Sequence, residues 1–161
     1  MTDINQAIMQ AQDPIDGREG SAYVNIEGQR YLLFQLKNFE DEITKSKTEI
    51  NRLGTTVAGN RSTGAKGTFT ATLWYNTDIF RDLMYRYWKT GQDVYFDLQI
   101  TNDDPNSSAG RHTVVYKGCN IDKTTMSKID VDNNILDEQI SGTFEDIEFP
   151  EKFRVLDGMQ A

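Results

Sequence analysis

Short runs in which apolar and polar residues alternate recur along the chain, and this period of two constrains the fold more than any other feature. The clearest runs surround Val24, Leu73 and Leu98. Alternation of this kind is typical of β-strands that bury one face and expose the other. Several such runs, separated by turn residues, predict a protein built mainly of antiparallel sheet.

One segment, residues 77–90, follows a helical period instead. Phe80, Leu83 and Tyr87 recur there at spacings of three and four, with charged residues on the opposite side. This spacing predicts one amphipathic helix, which Gly91 ends in a left-handed conformation.

Residues 46–67 interrupt the strand pattern, because Gly, Thr, Ser and Asn predominate and large apolar residues are few. This composition predicts a long loop, and loops of that length are usually functional or disordered. Further strands are predicted elsewhere, including one over Lys123–Val131. The resulting fold class is mainly β: an antiparallel sandwich or barrel-like domain with one flanking helix. Three regions are expected: an N-terminal arm (1–16), a single domain (17–155) and a C-terminal tail (156–161).

Charge is distributed in blocks along a chain whose net charge is −8. Residues 45–66 carry a net charge of +4, and residues 121–161 carry −6. The acidic total argues against a protein that grips nucleic acid along its surface, since such binding depends on lysine and arginine. The blocks are either ordinary solvated faces or a surface that meets an oppositely charged copy of the same chain.

Residues suited to catalysis or metal binding are few. Cys119 is the only cysteine and His112 the only histidine. A lone cysteine excludes an internal disulfide and a multi-cysteine zinc site, and we expect it to be a half-buried structural thiol. The sequence therefore predicts a protein that is not an enzyme and has no cofactor or metal. The N-terminus lacks the pattern of a signal peptide, so we expect a soluble, intracellularly made protein.

Several short motifs occur in order along most of the chain, and together they resemble those of a known family. They comprise Gly17–Gly20, Lys47–Asn51, Ser62–Thr68, Thr70–Tyr75, Lys89–Asp93, Ser127–Asp132 and Thr143–Lys152. With them the chain resembles the tail tube proteins of contractile-tailed, myovirus-like phages, in particular the XkdM-like family of PBSX-type prophages.

This resemblance implies a virion structural protein that is assembled in the bacterial host cytoplasm. Subunits of such families form six-membered rings that stack into a hollow tube. The sheath surrounds the tube, and the tape measure and baseplate proteins are further partners. DNA would pass through the lumen without specific binding, and the monomer would bind no membrane.

Two groups of residues are predicted to serve assembly. The basic loop is available to reach a neighbouring ring, with Gly64 and Gly67 setting its conformation. Its predicted residues are Lys47, Arg52, Arg61, Gly64, Lys66 and Gly67. A lumen lined by carboxylates would repel DNA over about 8–10 Å. The residues predicted for this lining are Glu40, Glu42, Asp122 and Glu145. Alternatively, these carboxylates only keep the outer surface soluble.

Two other functions remain open at this point. The first is a tube protein of a type VI-like secretion system or a headless bacteriocin. The second is a monomeric β-sandwich binding module. Electron microscopy of the purified protein separates the module from the tubes, and the neighbouring genes separate the two kinds of tube.

Overall fold

The computed structural model describes residues 8–160. Residues 1–7 of the predicted N-terminal arm and residue 161 of the predicted tail lie outside this range. The elements in chain order are β1 (Gly20–Ile26), β2 (Gln29–Leu32), β3 (Leu36–Ile50), β4 (Gly59–Trp74), α1 (Ile79–Thr90), β5 (Phe96–Asn102), β6 (His112–Lys123), β7 (Asp137–Phe144) and β8 (Asp146–Glu151). The prediction of a mainly antiparallel β protein with one helix is confirmed for residues 8–160.

The chain forms two compact units. The described part of the first comprises residues 8–34, 97–116 and 147–160, and the second comprises residues 35–96 and 117–146. The single domain expected over residues 17–155 stays a prediction.

The first unit is a sheet in which β2, β1, β5 and the first half of β6 are successive neighbours, and β8 also pairs with β6. Val24 lies opposite Tyr31 on one side and Leu98 on the other. Val24, Leu98 and Val114 are buried, as the alternation requires. His112 lies between the rings of Phe149 and Phe153, so the lone histidine packs against aromatic side chains.

The second unit contains the second half of β6, then β7, β4 and β3 as successive antiparallel neighbours, together with α1. Its core is aromatic. The Phe69 ring stacks on Phe39 at 5.9 Å and meets the edge of Phe96 at 6.4 Å. Phe80 of α1 packs against Phe96 at 5.7 Å. Cys119 is fully buried here, more deeply than the half-buried position expected.

Helix α1 is joined to the second unit by a buried arginine as well as by apolar contacts. The Arg81 Nε donates to Asp78 Oδ1 at 2.7 Å, and its Nη1 donates to the Thr125 carbonyl at 3.2 Å and also to Glu138. Burial alone lowers the pKa of Arg81, but its hydrogen bonds and charge attraction to Asp78 and Glu138 outweigh burial, and the pKa is raised. The predicted helix end is confirmed, because Gly91 has a φ of 72° and donates to the Tyr87 carbonyl.

Two sequence predictions about local structure are wrong. Residues 46–67 are not a long loop, since most of them belong to β3 and β4, which pair with each other from Leu36–Leu73 to Ile50–Gly59. The sequence did not indicate these strands because both faces of the ribbon are exposed. Apolar and polar residues therefore do not alternate along it. Residues 124–131 are not a strand either: their alternating Ile129 and Val131 lie exposed in the connection between β6 and β7.

Candidate self-assembly surfaces

The β3–β4 hairpin divides into two parts at Gly67. β7 pairs with β4 only from Gly67 onward, so the hairpin base (residues 36–43 and 67–74) lies in a sheet of several strands. The remaining part, residues 44–66, is a two-stranded ribbon with a turn at 51–58, here called the hairpin extension. Every residue of the hairpin extension is exposed except Ala58 and Gly59, which are half-buried.

The hairpin extension carries five basic residues and one acidic residue. Along β3, Lys45 and Lys47 share one face of the ribbon. Arg61 and Lys66 pair with Thr48 and Thr44, which places them on the other face. No described residue forms an ion pair with these four side chains. The extension is therefore basic on both faces, and none of that charge is neutralised within the described chain.

The turn of the extension is held by local contacts. The Arg52 Nη2 donates to the Val57 carbonyl at 3.4 Å, and the Val57 N–H donates to Thr55 Oγ1 at 3.1 Å. The Arg52 side chain also covers Gly59, where an added Cβ would lie 3.3 Å from Nε. Arg52 thus shapes the turn in addition to carrying charge, a role that sequence alone did not indicate.

The two glycines predicted to set the loop conformation lie in a strand instead. Neither Gly64 nor Gly67 has a positive φ, and both lie in β4. A Cβ at Gly67 would lie 2.3 Å from the Phe144 ring, whereas a Cβ at Gly64 would meet nothing within 4 Å. Gly67 is therefore a packing position, where the ring of its cross-strand partner covers the backbone. The interpretation of these residues as loop glycines is wrong.

The four carboxylates predicted for a lumen lie in three different places. Glu40 and Glu42 share one face of β3 and pair with Thr70 and Thr68. Asp122 lies at an irregularity in β6, and Glu145 lies between β7 and β8 with its side chain over Gly118. The structure brings together only Glu40 and Glu42.

The face that holds Glu40 and Glu42 continues across β4 and β7, and we call it the polar sheet face. Its members carry hydroxyl, amide or carboxylate groups. They are Glu40, Glu42, Thr68, Thr70, Thr72, Gln139, Ser141 and Thr143. Two lysines border the face on the same side: Lys66, whose partner is Thr44, and Lys123, whose partner is Ser141. The opposite face of the same strands packs against the aromatic core, because Phe69, Ala71 and Ile140 are buried there.

A cleft of about 260 Å³ lies beside α1 and is lined by Leu83, Met84, Tyr87, Asp93, Val94, Asn120, Ile121 and Asp122. Asp122 therefore faces this α1–β6 cleft instead of joining Glu40 and Glu42. The Asn120 amide donates to Asp93 Oδ1 at 2.7 Å, so Asp93 is held by its neighbour.

One cross-strand charge pair lies at the hairpin base. The Lys37 Nζ donates to Asp137 Oδ2 at 2.7 Å and lies 4.3 Å from the centre of the Trp74 ring. The hydrogen bond from Lys37 lowers the pKa of Asp137 below its ordinary value. Charge at the base is thus paired, in contrast to the basic groups of the extension.

Within residues 8–160 no three His, Cys, Asp or Glu side chains converge as a metal site would require. In that same range no helix has the length and apolarity needed to cross a membrane.

A family model and two proteins of Bacillus subtilis match most of the chain. A family model described as phage tail tube protein matches residues 7–151. The chain is 38% identical over 144 residues to the phage-like element PBSX protein XkdM of Bacillus subtilis strain 168, covering 89% of this chain and 95% of that one. YqbM of the same organism, described as uncharacterized, is 36% identical over 146 residues, covering 91% and 97%.

A solved structure shares the fold at much lower sequence identity. In the anti-feeding prophage cap, described as a tube-terminating cap, a chain superposes with a TM-score of 0.65 at 13% identity. The match covers 92% of this chain and 98% of that one.

Proposed function

We propose a structural role from one premise: the chain belongs to the phage tail tube protein family. The proposed role is that of a subunit in the inner tube of a contractile phage tail or phage-like particle. In this proposal, subunits form hexameric rings, the rings stack, and the lumen conducts DNA. The sheath, tape measure and baseplate proteins are the proposed partners, and assembly takes place in the host cytoplasm.

The observation that carries the proposal is the hairpin extension. A two-stranded hairpin is marginally stable in water on its own, because it buries too little apolar surface. In the hairpin extension almost every side chain is exposed, so a surface that covers it would supply the burial that it lacks. Its charge of +4 in a chain of −8 suits another copy of the same acidic subunit. We therefore assign the hairpin extension to contacts between rings.

The polar sheet face is the proposed lining of the lumen. The hydroxyl and amide groups at the centre of this face carry no charge for DNA to bind, and Glu40 and Glu42 repel its phosphates within about 8–10 Å. Glu145 and Asp122 lie elsewhere in the subunit, so we leave them out of this lining.

Assembly is tested by light scattering and negative-stain electron microscopy over a range of concentrations, alone and with co-expressed sheath. We expect rings or tubes. A strictly monomeric protein at high concentration, with neither form in the presence of sheath, would contradict the proposal and favour a monomeric binding module.

The role of the extension is tested by reversing its charge. The triple variant Arg52→Glu, Arg61→Glu, Lys66→Glu should fold normally and fail to stack rings. A control with the same change in net charge, Arg18→Glu, Lys89→Glu, Lys152→Glu, alters exposed residues outside the extension and should assemble. Normal assembly of the first variant at low salt would exclude charge complementarity as the mechanism.

The proposed lumen is tested with duplex DNA at physiological salt. Assembled tubes should not bind it, and tubes of Glu40→Lys, Glu42→Lys should retain it. Binding by the unmodified tubes would refute the repulsive lining.

A tube without DNA, as in a headless bacteriocin or a type VI-like system, is the second candidate. It requires the same assembly and differs in cargo. This candidate is supported by the fold that the chain shares with the anti-feeding prophage cap. Nucleic acid content of purified particles separates the two.

A further inference from the structure

The connection between β6 and β7, residues 124–136, exposes an unusual amount of apolar surface. Ile129 is 97% exposed and Val131 95%, and Met126 and Ile135 are also exposed. Single exposed apolar residues are common, but a cluster in one segment of a soluble protein marks an interaction surface. We call this segment the β6–β7 loop.

The β6–β7 loop is fixed to its own unit and does not hang free. The Lys128 N–H donates to the Tyr75 hydroxyl at 3.3 Å, and Lys128 Nζ donates to the Asp137 carbonyl at 2.9 Å. The Thr125 carbonyl accepts from buried Arg81. These anchors precede Ile129 and follow Val131, so the two apolar side chains are presented outward from a braced segment.

Charge flanks the exposed apolar pair. Asp130 lies between Ile129 and Val131, and Asp132 follows them. Asp130 Oδ1 accepts from the Asp132 N–H at 3.1 Å, which keeps this acidic turn compact. The loop therefore offers two β-branched apolar side chains beside two carboxylates.

The turn of the hairpin extension has the opposite charge and the same apolar character. Leu53 is fully exposed and Val57 is 66% exposed. Arg52 and Arg61 lie close to them along the chain, and no acidic residue occurs between Ile50 and Lys66. Because Leu53 and Ile129 are both exposed, the two surfaces do not cover each other within one subunit.

We propose that the turn of the hairpin extension of one copy docks on the β6–β7 loop of a second copy. Leu53 and Val57 pack on Ile129 and Val131, and Arg52 and Arg61 face Asp130 and Asp132. The two surfaces are different patches of one chain, so the contact is heterologous (head-to-tail). Each copy can therefore bind one copy through its extension and another through its β6–β7 loop. This inference rests on the proposed function, for which it names the receiving surface.

A competing receiver exists in the α1–β6 cleft, whose lining includes Asp93 and Asp122. We favour the β6–β7 loop because of its exposed aliphatic side chains. The cleft leaves no aliphatic side chain as exposed as Ile129 or Val131, and only the loop gains by covering such residues. Tyr87 is 51% exposed and lies at the cleft, so it marks that alternative in the test below.

Site-directed cross-linking decides between the two receivers. The only natural cysteine, Cys119, is buried, so new surface cysteines report without background. Leu53→Cys protein is mixed with Ile129→Cys protein under assembling conditions and treated with a short bis-maleimide. We expect a covalent dimer at least tenfold more abundant than in the control mixture of Leu53→Cys with Tyr87→Cys.

Charge exchange provides a second measurement that does not depend on cysteine. Asp130→Lys, Asp132→Lys should block assembly, and adding Arg52→Glu, Arg61→Glu to the same chain should restore it. Tubes that form normally while Leu53→Cys links to Tyr87→Cys, or reversed charges that are not rescued, would overturn the docking inference and leave the proposed function standing. A protein that forms no rings or tubes even with sheath present would overturn both.

Discussion

The base and the extension of the β3–β4 hairpin belong to the same two strands, yet different forces hold them. At the base, β7 adds a third strand and Phe69 is buried in an aromatic cluster. In the extension the backbone pairing continues to Ile50–Gly59, but almost every side chain is exposed. Backbone hydrogen bonds add little net stability when water offers the same bonds, so burial decides which part is stable alone. The base is therefore stable within the subunit, whereas the extension needs a covering surface to be equally stable.

The largest expected contrast concerns apolar side chains. Phe69→Ala removes a buried ring and should lower the free energy of unfolding by about 3–5 kcal/mol. Leu53→Ala in the extension removes a fully exposed side chain and should change it by less than about 0.5 kcal/mol. Urea unfolding of the monomer measures both. Similar losses in the two variants would mean that the extension is packed in the isolated subunit.

Glycine substitution gives an intermediate contrast within one strand. Gly67→Ala forces a methyl group into the Phe144 ring and should cost about 1–3 kcal/mol. Gly64→Ala meets open space and should be neutral within about 0.5 kcal/mol. The same unfolding measurement applies. If Gly64→Ala were the more damaging substitution, the ribbon geometry described for the extension would be wrong.

The smallest contrast concerns charge. Since the pKa of Asp137 is lowered by Lys37 in the folded state, the stabilisation from this carboxylate is present above its unfolded pKa of about 3.9. It is lost as the pH falls through the lower folded value. Asp137→Asn should therefore reduce stability slightly at pH 7, and the difference should vanish in acid.

Glu49 is the matched control for Asp137, because it is an exposed acid on the extension. Glu49→Gln should leave the free energy of unfolding at pH 7 unchanged, because Glu49 forms no ion pair with a described residue. A loss of stability at pH 7 equal to that of Asp137→Asn would remove the distinction between paired charge at the base and unpaired charge on the extension.

Burial explains why parts of the fold could be predicted and parts could not. The strands around Val24 and Leu98 and the helix that ends at Gly91 were predictable because one face of each is buried, which imposes a period on the sequence.

The hairpin extension gave no such signal, because a ribbon exposed on both faces is free to use any polar residue. The β6–β7 loop gave a misleading one. Ile129 and Val131 alternate with polar residues as in a strand, although nothing in the described subunit covers them. Of the residues predicted to serve assembly, the basic block was visible from charge alone. The packing role of Gly67, the contact of Arg52 with its turn and the separation of Asp122 from Glu40 depend on pairing registers that one sequence does not contain.

Hydrogen exchange of the backbone amides in monomer and in assembled tube tests the central claim most directly. In the monomer, amides of residues 44–66 should exchange within seconds to minutes while those of the hairpin base stay protected, because local stability follows burial. In the tube, the extension should become protected by at least a hundredfold, and amides of the β6–β7 loop should slow with it. An extension as protected in the monomer as its base, or one that remains unprotected in assembled tubes, would contradict the account.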